Sequence, residues 1–134
     1  DKNALTEEEI KGYQLFKDNG CIACHQGMNV GGNMYQTFGV FGNYFEDRGN
    51  PTNADNGLFN LTNNEQDRYK FKVPSLRNVA LTPPYFHDGS VETLEKAIFI
   101  MAKYQLGRNL QDSEIQQIAA FLKTLTGEYK GKSL

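Results

Sequence analysis

Apolar residues recur at helical spacing in three stretches of the chain and lose that rhythm between them. In the first stretch Ile10, Tyr13 and Phe16 follow at intervals of three, which brings side chains towards one face of an α-helix. Thr6-Glu7-Glu8-Glu9 reads as a capping box, with Thr6 as N-cap and Glu9 reaching back to it. Asn19-Gly20 supplies the stop. Gly12 and Phe16 share a face, four apart, which suits a close crossing with another helix or an ordinary amphipathic helix. In the second stretch Leu94, Ala97, Ile98 and Met101 form one face of a helix that begins near Thr93. In the third, Ile115, Ile118, Ala119, Leu122 and Leu125 form an apolar stripe that Gly127 ends.

Residues 26–72 follow neither period. Gly31-Gly32-Asn33, Gly42-Asn43, Gly49-Asn50-Pro51, Asn53 to Gly57 and Asn63-Asn64 are turn signals. Apolar side chains from Met28 to Phe45 are scattered among them. Loops this long are uncommon in a compact domain unless they wrap something. The Asn53–Gly57 cluster lacks the spaced acidic ligands of a calcium loop, so a solvated turn is expected there. Phe71 to Val79 and the loop with Pro83-Pro84-Tyr85-Phe86-His87-Asp88-Gly89 lead into the second helix.

A chain of 134 residues suits a single domain, 1–134. Only 39% of it is hydrophobic and the mean hydropathy is −0.59, a polar balance for a domain this size. A large apolar prosthetic group would supply surface for side chains to bury, and the chain without one is expected to fold poorly. A formal net charge of −2 argues against nucleic acid or an anionic membrane as partner. No apolar run is long enough for a membrane span.

Cys21-Ile22-Ala23-Cys24-His25 carries the chemistry. C-x-x-C-H is the attachment motif of a c-type haem: two thiols each form a thioether to a haem vinyl group, and the next histidine binds the iron. A thiol–disulfide site would favour a βαβ setting, which the flanks do not provide. A zinc site needs about four ligands, and adjacent Cys24 and His25 are poorly placed for two corners of one tetrahedron. A structural disulfide leaves the histidine unexplained. The cofactor expected is therefore one covalent haem c, and the fold expected is an all-α cytochrome c plan with long loops wrapped around it. The first and last helices would cross beside the haem. Haem c is attached outside the cytoplasm, so the periplasm is the expected compartment, with the chain a mature form or an excised domain.

The sixth ligand decides the chemistry. Met28, Met34, Met101 and His87 are the candidates. A thioether raises the potential and makes an electron carrier, a second histidine lowers it, and an open position admits peroxide or small ligands. Met28 lies three residues past His25 and would have to swing to the opposite face. Met34 reaches only if its loop folds over. Met101 approaches from a separate helix and is favoured, although a methionine at helical spacing is more often core. His87 reads either as a ligand or as a hydrogen-bonding residue that pins its loop.

Several motifs together resemble the C-terminal haem domain of bacterial dihaem cytochrome c peroxidases, the family that also holds the MauG proteins. They are Cys21 to Asn33, Phe71 to Asn78, Pro84-Tyr85-Phe86-His87-Asp88-Gly89, Gln105-Leu106-Gly107 and Ala120 to Gly127. The resemblance implies a high-potential haem with His25 and Met101 as axial ligands. MauG proteins use tyrosine instead of that methionine, and Tyr104 does not stand at the matching position. The family has a second haem domain where peroxide is split. This chain has one C-x-x-C-H, no tryptophan for a relay of that type, and only the second half. The family's interdomain calcium site takes oxygen ligands near Thr82 and Pro84.

The leading expectation is electron transfer by one His/Met-ligated haem between periplasmic partners, with small cytochromes or copper proteins as donor or acceptor. Arg77 is a candidate partner for a haem propionate, or a loop-pinning arginine. The alternative is a haem domain of a cytochrome c peroxidase that takes part in hydrogen peroxide reduction, its second haem domain missing here. A ligand sensor is a third reading. The sequence shows no distal acid/base pair, which weighs against catalysis by this chain on its own.

Overall fold

In the computed structural model, which describes residues 4–134, α1 (Glu7–Asp18) begins at the expected capping box. The Thr6 N–H donates to Glu9 Oε2 at 2.6 Å, and the Glu9 N–H to Thr6 Oγ1 at 3.3 Å. Phe16 and Gly12 are the buried face. Ile10 and Tyr13, expected on it, are exposed at 48% and 40%. The reason is the crossing with α5 (Asp112–Lys123), which runs over Gly12. A Cβ on Gly12 would stand 1.8 Å from the Gln117 carbonyl oxygen and 3.0 Å from Phe121 Cβ. Of the two readings of Gly12 and Phe16, the close crossing is therefore the one realised. Phe16 and Tyr13 meet Phe121 with ring centroids 5.4 Å and 5.1 Å apart.

α4 (Leu94–Leu106) starts at Thr93, whose hydroxyl accepts the Lys96 N–H, and ends at Gly107 in the left-handed region. It packs on α5, which buries Ile115, Ile118, Ala119, Phe121 and Leu122. α5 stops at Lys123 and Thr124 rather than at Gly127. Gly127 instead donates its N–H to Asn78 Oδ1 at 2.7 Å, which ties the chain after α5 to the segment before α4.

The expected wrapping loop holds more structure than its turn signals imply. Two short helices, α2 (Tyr44–Arg48) and α3 (Phe59–Thr62), lie within it. β1 (Tyr35–Thr37) pairs antiparallel with β2 (Lys70–Lys72), Gln36 opposite Phe71. A second small pair joins β3 (Glu128–Tyr129) and β4 (Lys132–Ser133). The molecule is thus helix-rich with small sheets, which corrects the all-α expectation. Strands of two or three residues, joined across more than thirty positions in the first pair, leave no alternation to read.

Phe38, Tyr44, Phe45, Phe71 and Phe86 form an aromatic cluster beside the helices, with centroid separations such as 4.8 Å between Phe38 and Tyr44 and 5.1 Å between Phe38 and Phe86. Under it lies Asp55, 1% exposed. The Asn53–Gly57 cluster is therefore built around a buried carboxylate, not a solvated turn. Asp55 is engaged by Arg48 Nη2 at 2.6 Å, His87 Nε2 at 2.7 Å and the Thr52 N–H at 2.6 Å.

Candidate functional site

Gly20, in the left-handed region, turns the chain out of α1 into a single tight turn, Cys21–Ala23. The Cys21 carbonyl accepts the N–H groups of Cys24 at 3.3 Å and His25 at 3.0 Å. This turn holds the two cysteines and the histidine of C-x-x-C-H at the end of α1. Both thiols are free and half-buried. Burial, helped by the neighbouring Cys24, pushes the Cys21 thiol up to about 11. A thiol–disulfide exchange site depends on a lowered thiol pKa, so Cys21 has the wrong electrostatics for one.

The His25 ring lies against Phe16, centroids 6.4 Å apart. Its Nδ1 is buried and makes no hydrogen bond. Burial lowers its pKa, opposed by the backbone of Val30 and Pro74, so the imidazole is kept towards its neutral, metal-binding form. The segment beneath is tightly laced. Gly32 donates its N–H to the Val73 carbonyl at 2.9 Å, Val73 to the Met34 carbonyl at 2.8 Å, and Leu76 to the Val30 carbonyl at 3.2 Å. At its centre is Gly31, where a Cβ would stand 2.1 Å from the Pro74 carbonyl oxygen and 3.1 Å from His25 Nδ1. Sequence reasoning read Gly31-Gly32 as a turn and missed this role. The positive φ of Gly31, +126°, and the lack of room both require glycine there.

Met101 sits on α4, half-buried. Leu94, Ala97 and Ile98 of its expected face enter the apolar core, but among the described residues Met101 is not part of that cluster. Met28 is 86% exposed and Met34 half-buried. His87 is spent on Asp55, and its ring packs on Phe71 with centroids 4.5 Å apart, which matches the loop-pinning reading. Tyr104 donates its hydroxyl to Asp47 Oδ2 at 2.8 Å. Arg77 Nε and Nη2 donate to the Met28 carbonyl at 3.1 Å and 3.0 Å, so it pins the loop that follows His25. Thr82, near the implied calcium position, donates its hydroxyl to the Val79 carbonyl.

Two half-buried thiols, a half-buried imidazole and a thioether outside the packed core match the donor set of a covalently attached haem. Asp55, His87 and Asp88 also lie close enough together to hold a cation. Arg48 already occupies that place, bonded to both carboxylates. A groove of about 680 Å³ between α2 and α4, lined by Asp47, Lys96, Ile100 and Lys103 among others, is not lined by Met101 and contains neither thiol nor imidazole.

Residues 10–126 match the family model for cytochrome c. The chain is 52% identical over 96% of its length to a cytochrome c551 peroxidase of Nitrosomonas europaea, and 47% identical over 96% to a cytochrome c peroxidase of Escherichia coli. It spans 37% and 27% of the lengths of those relatives. A solved MauG-like protein associated with microbial copper homeostasis shares the fold with a TM-score of 0.77 at 31% identity, covering 92% of this chain and 45% of that one.

Proposed function

The chain belongs to the cytochrome c family, and from that premise we propose that it is a haem-bearing domain that takes part in hydrogen peroxide reduction by passing electrons. The observation that carries this reading is 52% identity, over nearly the whole chain, to a cytochrome c551 peroxidase. It moves the function from free-standing electron carriage, the leading expectation from sequence, towards the peroxidase alternative. The chain spans 37% of that relative's length, and this reading sets the reaction with peroxide outside the matched residues.

In this reading Cys21 and Cys24 would anchor one haem c through thioethers, and His25 and Met101 would be the side chains that hold its iron. Bound haem iron supplies one-electron exchange between ferric and ferrous states, which a thioether ligand biases towards the ferrous form. The protein contributes the rest. Phe16 and Gly31 fix the His25 ring, and burial keeps it neutral for the metal. Arg77 steadies the loop after His25 through the Met28 carbonyl, and its Nη1 group would be the donor left for a haem propionate. Reduction of peroxide to two waters takes two electrons and two protons, so a one-haem domain delivers its electrons singly. Small periplasmic cytochromes or copper proteins are the donors this reading requires.

The holoprotein tests it. Reduced cytochrome c should transfer electrons to the ferric chain rapidly, and peroxide should reoxidise the ferrous chain quickly only when the peroxide-reacting half of a cytochrome c peroxidase is supplied. Met101→Ala should lower the reduction potential by on the order of 100 mV. No electron uptake from any small donor, or an unchanged potential in Met101→Ala, would contradict the reading.

A further inference from the structure

We propose that Gln105 is a positioning residue that clamps the Met101-bearing end of α4 to the framework beneath His25, and so sets how firmly Met101 holds the iron. The inference rests on the reading of His25 and Met101 as axial ligands. Gln105 follows Met101 by four residues, one helical turn, in the last turn of α4. Helix ends have unsatisfied backbone groups and fray most easily. Gln105 spends both ends of its amide against that tendency. Its Nε2 donates to the Thr37 carbonyl at 2.9 Å, and its Oε1 accepts the Gly39 N–H. The adjoining Tyr104 adds two more ties, its carbonyl accepting the Phe41 N–H at 2.8 Å and its hydroxyl donating to Asp47.

Thr37 is the last residue of β1, and β1 is paired with β2. Beyond β2 the chain enters the Val73–Leu76 lacing, where the Pro74 carbonyl closes on Gly31 beside His25 Nδ1. Hydrogen bonds therefore run from the His25 loop through β2 and β1 to the Gln105 amide and α4. Both candidate ligands hang from one frame, and Gln105 is the side chain that joins its two halves. A neutral amide suits the task because it donates to a carbonyl and accepts from an N–H at once, as a backbone strand would.

The test uses ferric holoprotein and imidazole as a competing ligand. The wild type should show a methionine–iron charge-transfer band. Gln105→Ala should weaken that band and bind imidazole about tenfold more tightly, the equivalent of about 1.4 kcal/mol. Gln105→Glu keeps the size and the acceptor but sets a carboxylate against the Thr37 carbonyl, and should shift the same way. Gln14→Ala, at an exposed position of α1, serves as the control and should change nothing. Wild-type imidazole affinity in either Gln105 variant would overturn the positioning role. Absence of the methionine band in the wild type would instead overturn the axial reading, and the clamp with it.

Discussion

His25, half-buried, and Asp55, fully buried, are ionisable side chains whose surroundings set them opposite tasks. Around His25, burial dominates and keeps the ring neutral, while its buried Nδ1 faces the backbone of Val30 and Pro74 and so leaves Nε2 as the nitrogen for a metal. Around Asp55, burial alone would raise the pKa, but the Arg48 guanidinium, the Thr52 N–H and His87 outweigh it and hold the carboxyl well below the usual carboxylate range. Because the folded value lies below the unfolded value of about 3.9, this carboxylate stabilises the fold fully above that pH. The contribution is lost as pH falls through the carboxylate range towards the folded value. Asp88 shifts in the same direction and adds to the effect. Asp55→Asn should therefore cost about 3 kcal/mol at neutral pH by leaving Arg48 short of a charged partner. It should also flatten the fall in urea midpoint expected of the wild type below about pH 4. An unaltered pH slope in the variant would count against this account of the cluster. It was not legible locally, because His87 and Asp88 stand more than thirty positions beyond Asp55 and Asn53–Gly57 reads as a polar turn.

The elements divide by how far apart their determinants lie. α1, α4 and α5 carry 3.6-residue periodicity within a dozen residues, and all three form, although α5 ends at Lys123, short of the Leu125 and Gly127 that the pattern marks. β1, β2 and the Gln105 ties depend on residues more than thirty positions apart and escape any local window. Gly12 stands between these cases. Its four-residue spacing from Phe16 marked a face, but only the crossing with α5 shows that the face has no room for a methyl group. Gly12→Ala should cost about 1–3 kcal/mol despite the better helix propensity of alanine, because its Cβ must displace backbone at Gln117. Thermal unfolding of the holoprotein measures this, and a stabilised Gly12→Ala would show that the helices part easily. The C-x-x-C-H turn was the most legible feature, since its chemistry is complete within five residues. The proposed second ligand was less legible, because a methionine at helical spacing is more often core, and Met101 lies outside the packed cluster among the described residues.

At the scale of the molecule, one frame carries both faces of the proposed haem site. α1 delivers Cys21, Cys24 and His25, α4 delivers Met101, and α5 packs against both helices. The similarity to cytochrome c peroxidases covers nearly the whole chain, while the chain covers a minor part of them. A domain of this kind should pass electrons through iron that both axial ligands close to peroxide. Stopped-flow absorbance of the ferric holoprotein on mixing with hydrogen peroxide tests that claim most directly. The account predicts a low-spin spectrum with a methionine–iron charge-transfer band that persists after mixing. A high-spin spectrum at rest, with rapid conversion on adding peroxide, would contradict it.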